Sequence, residues 1–108
     1  MAEGSMNLLE KKEHYILLFD FYGELLTEKQ QEYFKYYYFD DMSLAEIANY
    51  YNVSRNAIFD QIQKTHKILD NYEMVLKLYD KYQKRNELYE QYNSEENQKL
   101  INELKELE

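Results

Sequence analysis

No proline interrupts this chain, and glycine occurs only at positions 4 and 23. Almost nothing in the sequence stops a helix once it has started. The charged residues make up 31% of the chain and are mostly Glu and Lys, which suit exposed helical faces. A length of 108 residues allows one domain with a modest core. The expected fold class is therefore all-α, with about five or six helices bounded by capping side chains.

The stretch from Ser43 to Ile62 carries the most information. Ser43 and Glu46 have the spacing of a capping box, in which serine and glutamate each bond the other's backbone N–H. Leu44, Ile47 and Ala48 then share one helical face, and the small Ala48 lets a second helix cross closely. Asn52 sits where the chain must reverse, and Asn tolerates positive φ. Val53 can plug the corner. Ser54 is a second N-cap, followed by Ala57, Ile58 and Ile62 on one face. This is the pattern of a helix-turn-helix, with helices at Ser43–Tyr50 and Ser54–Leu69 and with Leu44, Ile47, Ala48, Val53, Ile58 and Ile62 buried together.

Apolar residues from Asn7 to Tyr22 (Leu8, Leu9, Tyr15, Leu18, Phe19, Tyr22) predict a leading amphipathic helix closed by Gly23. Thr27 and Gln30 form another capping box, opening a helix with Tyr33, Phe34, Tyr37 and Tyr38 inward. After the motif, Asp70 either caps a new helix or is passed through without a break. Tyr72, Val75, Tyr79, Tyr82 and Tyr89 follow at intervals of three and four, with Asn86 as the polar position of the seam. That seam suits either homodimerisation or packing on the chain's own first helix. Ser94 is a candidate cap for a last short helix with Leu100, Ile101, Leu104 and Leu107 as its stripe. The domain reading is residues 1–5 as an expression scar, 6–92 as a helix-turn-helix domain with flanking helices, and 93–108 as an acidic short helix or tail.

Several function classes are disfavoured. Cysteine is absent, so disulfides and thiolate chemistry are excluded. No apolar run approaches the roughly 20 residues of a membrane span, and no charged-then-apolar leader is present. The expectation is a soluble cytoplasmic protein. His14 and His66 fall on different helices, His66 being read as a surface residue at the end of the second motif helix, and Asp40-Asp41 as solvated connector acids. No glycine-rich phosphate loop exists, so the chain is not itself a GTPase. No catalytic, cofactor or metal residues are expected. The 13 tyrosines fit an A/T-biased source genome, or alternatively an aromatic binding platform. The net charge of −8 repels nucleic acid overall.

The segments Leu26-Thr-Glu-Lys-Gln-Gln-Glu-Tyr-Phe-Lys-Tyr-Tyr-Tyr-Phe-Asp-Asp-Met-Ser-Leu-Ala-Glu-Ile-Ala48 and Asn52-Val-Ser-Arg-Asn-Ala-Ile58 resemble the helix-turn-helix of region 4 of bacterial sigma factors. From Met6 to Tyr92, including Asp20-Phe-Tyr-Gly-Glu-Leu-Leu-Thr27, the chain resembles the small YlxM family of low-G+C Gram-positive bacteria and mycoplasmas. The resemblance implies a sigma-region-4-like fold with an N-terminal helix and a C-terminal helical extension. It also implies a regulatory role in the signal recognition particle pathway, because in that family the gene commonly lies beside those for the particle's GTPase and its receptor. The implied partner is the particle's GTPase or RNA.

In sigma-like motifs the first turns of the second helix enter the major groove. The outward residues here are Arg55, Asn56, Phe59, Asp60, Gln63, Lys64 and Lys67. Arg55 can bond guanine, and Asn56 or Gln63 adenine. Phe59 and Asp60 fit this poorly, since they stand where a primary sigma factor places polar or basic base-reading residues. Two readings stay open: a surface for a protein or ribonucleoprotein partner, and a DNA-binding transcriptional regulator.

Overall fold

The computed structural model describes residues 7–108, so the supposed expression scar lies outside the described residues. The elements are α1 (Leu8–Tyr22), a 3-10 turn (Gly23–Leu25), α2 (Glu28–Tyr38), α3 (Leu44–Tyr51), α4 (Arg55–Leu76), α5 (Leu78–Gln91) and α6 (Gln98–Glu106). No strand occurs among the described residues, and the fold is all-α. The chain packs as two units divided after Lys77, inside the stretch read as one domain through Tyr92.

Local chemistry sets most boundaries. Thr27 Oγ1 accepts from the Gln30 N–H at 3.1 Å, and Gln30 Oε1 accepts from the Thr27 N–H at 3.2 Å. The Ser43 and Glu46 box closes in the same way at 3.1 and 3.0 Å. Asn7 caps α1, its Oδ1 accepting from the Glu10 N–H at 2.8 Å. Gly23 stands at the C-cap of α1, as expected, and its N–H bonds to the Phe19 carbonyl. Its φ is −56°, in the right-handed region, so left-handed freedom is not what the position uses. A Cβ there would lie 3.0 Å from the Phe19 ring, which stacks on Phe34 at 4.3 Å. The glycine serves a close approach rather than a left-handed cap.

In the first unit α1, α2 and α3 each pack on α4. Tyr33, Ile47, Ala48, Ile58 and Ile62 form one core cluster, with Leu18, Tyr22, Phe34 and Leu69 also buried. Buried tyrosines bring hydroxyl partners with them, as amphipathic rings must. Tyr15 donates to Asp70 Oδ2 and Tyr22 to Glu73 Oε1, each at 2.7 Å.

Several sequence expectations are corrected. Leu8 and Leu9 are exposed; the inward face of α1 starts at Tyr15, where α4 crosses it. Val53 is exposed and does not plug the corner, which the backbone closes through a Val53 N–H to Ala48 O bond of 3.0 Å. Ala57 is exposed, and Leu44 is half-buried at the edge of the cluster. The first motif helix ends at Tyr51 and the second runs to Leu76, so Asp70 is interior to it and caps nothing. The chain breaks at Lys77 instead, in the left-handed region at φ 56°. The proposed seam is therefore split: Tyr72 and Val75 belong to α4, and Tyr79, Tyr82 and Tyr89 to α5. Tyr72 stacks on Tyr22 at 5.7 Å within the first unit, and Val75 is exposed.

In the second unit Ser94 caps a turn before α6, not the helix itself. Its Oγ accepts from the Asn97 N–H at 3.3 Å, and Asn97 stands at the helix N-cap with no side-chain bond. Ile101 is the inward residue of α6, while Leu100, Leu104 and Leu107 are exposed.

Candidate functional site

The turn between α3 and α4 fixes what the second helix presents. Asn52 takes φ 57° and ψ 48°, and its N–H bonds back to Ala48 and Asn49 carbonyls. Ser54 Oγ then accepts from the Ala57 N–H at 3.1 Å and starts α4. Ile58 and Ile62 are buried against Ile47, Ala48 and Tyr33. With those positions inside, the helical period forces the intervening residues outward. Arg55, Asn56, Phe59, Asp60, Lys64 and Lys67 are exposed, and Gln63 is half-buried. All seven residues named from the sequence therefore share one accessible face of α4.

That face does not stand alone. Phe59, 44% exposed, and Gln63 line a groove of about 470 Å³ together with Lys11 and Lys12 of α1 and Met42 and Leu44. Lys12 also pairs with Asp41 at 3.2 Å, on a connector where Asp41 holds φ 52°. The groove thus combines apolar side chains with a basic edge.

His66 also lines this groove, yet it is buried, which corrects its reading as a surface residue. Its Nε2 lies 2.6 Å from the Tyr38 hydroxyl, and its Nδ1 has no hydrogen-bond partner. Burial pushes the imidazole down to about 4, helped by the charge of Lys11, and pushes the Tyr38 phenol up. Both groups are neutral at pH 7. Asp70 lies alongside, accepting from Tyr15 and pairing with His14 at 3.2 Å. Burial pushes the Asp70 carboxyl up, but the hydrogen bonds from His14 and Tyr15 outweigh it and hold it below the usual value. The signal for His66 was present in the sequence: it stands four residues after Ile62, on the stripe that buries Leu69. Among the described residues no three His, Asp or Glu side chains gather as a metal site. None of the described helices is long and apolar enough to cross a membrane.

Residues 9–107 match the UPF0122 family, described as "Putative helix-turn-helix protein, YlxM / p13 like". The chain belongs to the UPF0122 family. Among its UPF0122 relatives, a protein of Shouchella clausii is 52% identical over 65 residues, 60% of each chain. The UPF0122 protein YofM of Lactococcus lactis subsp. lactis is 50% identical over 64 residues, 59% of this chain and 58% of the relative. A UPF0122 protein of Streptococcus mutans is 52% identical over 64 residues, again 59% and 58%. The alignments thus span about 60% of the length of these relatives. The helix-turn-helix of this UPF0122 chain is the α3–α4 pair, and its outward face is the one just described.

Proposed function

We propose that this chain is a regulatory, non-enzymatic helix-turn-helix protein of the signal recognition particle pathway. It contacts the particle's GTPase or RNA through the outward face of α4. The pathway comes from the resemblance to the YlxM family. The mode of contact rests on one observation: Phe59 is exposed on the face that a DNA reader would turn to base edges, and it borders an apolar groove. An exposed aromatic ring next to arginine has the composition of a partner interface. Asp60 stands beside it, where phosphate would be repelled, on a chain of net charge −8. Arg55, Lys64 and Lys67 supply local attraction for an acidic partner surface or RNA.

A second reading is a DNA-binding transcriptional regulator. It is favoured by the exposure of Arg55 and Asn56 in the first turn of α4, the position from which such helices read the major groove. Binding of Arg55→Ala, Phe59→Ala and Asp60→Lys variants to the purified GTPase, the particle RNA and genomic fragments separates the two. On the first reading Phe59→Ala weakens binding to the particle by about 30-fold or more, as loss of an interface anchor does. Asp60→Lys is neutral or harmful there. Normal particle binding by Phe59→Ala, with loss of tight, salt-sensitive binding to one DNA site in Arg55→Ala, establishes the regulator instead.

A further inference from the structure

The groove beside Phe59 holds two polar groups that the fold leaves uncommitted. The charged side chains lining it are Lys11, Lys12 and Asp41. Lys12 pairs with Asp41 at 3.2 Å. Lys11 is half-buried and makes no ion pair among the described residues. The second group is His66, which is 5% exposed and whose Nδ1 has no hydrogen-bond partner. Tyr38 decides its tautomer. The Tyr38 hydroxyl has only His66 Nε2 to bond among the described residues, at 2.6 Å. If the phenol donates, Nδ1 keeps the imidazole proton and one donor is left over. If Nε2 donated instead, the phenol proton and a bare Nδ1 would both go unpaired. Leaving one buried group unpaired costs less than leaving two, so Nδ1 carries the hydrogen. The neighbouring Asp70 carboxylate is already taken by Tyr15 and His14.

We propose that this groove binds a small apolar monocarboxylate. Its carboxylate is held by the Lys11 ammonium and the His66 Nδ1–H, and its apolar body lies on Phe59, Met42 and Leu44. A buried donor without an acceptor and an ammonium without a counter-ion, in one groove, call for the same thing: an anionic oxygen. Two lysines against one aspartate leave the lining a single positive charge, which matches a monoanion. The volume of about 470 Å³ falls within the range of small-molecule sites, and apolar walls with a few convergent polar groups are their usual make-up. Nδ1 is closed to solvent, so the carboxylate reaches it as the unbranched Met42 and Gln63 side chains of the same groove give way. This site does not rest on the contact proposed for α4, although Phe59 belongs to both.

Nuclear magnetic resonance titration of the full chain tests this, with 2-naphthoate as the probe and 2-naphthamide as its uncharged match. Naphthoate should shift the Met42 methyl and His66 ring signals saturably, with a dissociation constant of about 0.1–1 mM. Naphthamide should bind about tenfold more weakly. Ring nitrogen spectra of His66 should show a proton on Nδ1, which moves downfield as naphthoate binds. Lys11→Met should weaken naphthoate by about tenfold and leave naphthamide unchanged. Asp41→Asn frees Lys12 and should tighten naphthoate by about twofold. Neither position lies in the core, so both variants keep the fold. The proposal is overturned by the absence of saturable shifts at about 10 mM, by shifts outside this groove, or by equal affinity for the acid and the amide. An imidazole protonated on Nε2 also overturns it, as does naphthoate affinity unchanged in Lys11→Met. No particle component is present in these titrations, so their failure leaves the reading of the α4 face standing.

Discussion

The imidazole of His66 lies flat on the phenol ring of Tyr15, with centroids 3.8 Å apart and planes 8° from parallel. This stack joins the middle of α4 to α1. The Tyr15 hydroxyl continues to Asp70 one turn further along α4, so the same pair of helices is held by an aromatic face and by a hydrogen bond.

His66 gives the protein a pH-dependent stability of definite sign. Its folded value is about 4, against 6.5 for the free side chain. Above pH 6.5 neither state is protonated there, and the full stability is present. As pH falls below 6.5 the unfolded chain takes up a proton that the folded chain refuses, so stability declines until the folded value is reached. Urea unfolding at pH 7.5 and 4.5 should differ by about 2–3 kcal/mol on this account. In His66→Phe that part of the difference should vanish. The lowered Asp70 carboxyl adds a further loss in more acidic solution, below its usual value.

The Tyr38 and His66 pair should behave as a unit. Tyr38→Phe leaves a buried imidazole with neither nitrogen bonded and should cost about 1–3 kcal/mol. His66→Phe strands the Tyr38 hydroxyl at a similar cost. The double variant Tyr38→Phe/His66→Phe removes both polar groups and should recover most of the loss, giving a non-additive cycle in thermal or urea melts.

Ala48 is 4% exposed and sits in the core cluster with Ile58 and Ile62 of α4. Ala48→Leu should overpack the crossing and destabilise by about 1–3 kcal/mol. A melt as stable as the parent's would show that the crossing has room.

Asn52 separates a backbone requirement from a side-chain one. At φ 57° a β-branched residue is strained, so Asn52→Val should cost about 1–2 kcal/mol while Asn52→Gly stays near neutral. Chemical denaturation of both variants checks this. Equal losses would mean that the asparagine side chain, and not its φ, holds the turn.

The boundaries legible in the sequence are those decided within three or four residues. The boxes at Thr27 and Ser43, the reversal at Asn52 and the cap at Ser54 are local hydrogen-bond chemistry, and each forms where the residue types demand it. The outward face of α4 was legible for a related reason. Once Ile58 and Ile62 point inward, the helical period alone places Arg55, Phe59, Asp60 and Lys64 outside. Burial at the ends of elements was not legible, because it depends on which other helix crosses there. Val53 and Leu8 have apolar side chains but no element over them, and they stay exposed. His66, in the middle of α4, stands on the stripe of Ile62 and Leu69, but its cover comes from Tyr15 of α1 and Tyr38 of α2. The run of α4 past Asp70 was decided the same way. An aspartate that could cap a new helix has its carboxylate occupied by Tyr15 and His14 from α1, so the backbone continues to Lys77. Local hydrogen bonding is written residue by residue, whereas the cover over a side chain exists only after distant segments have met.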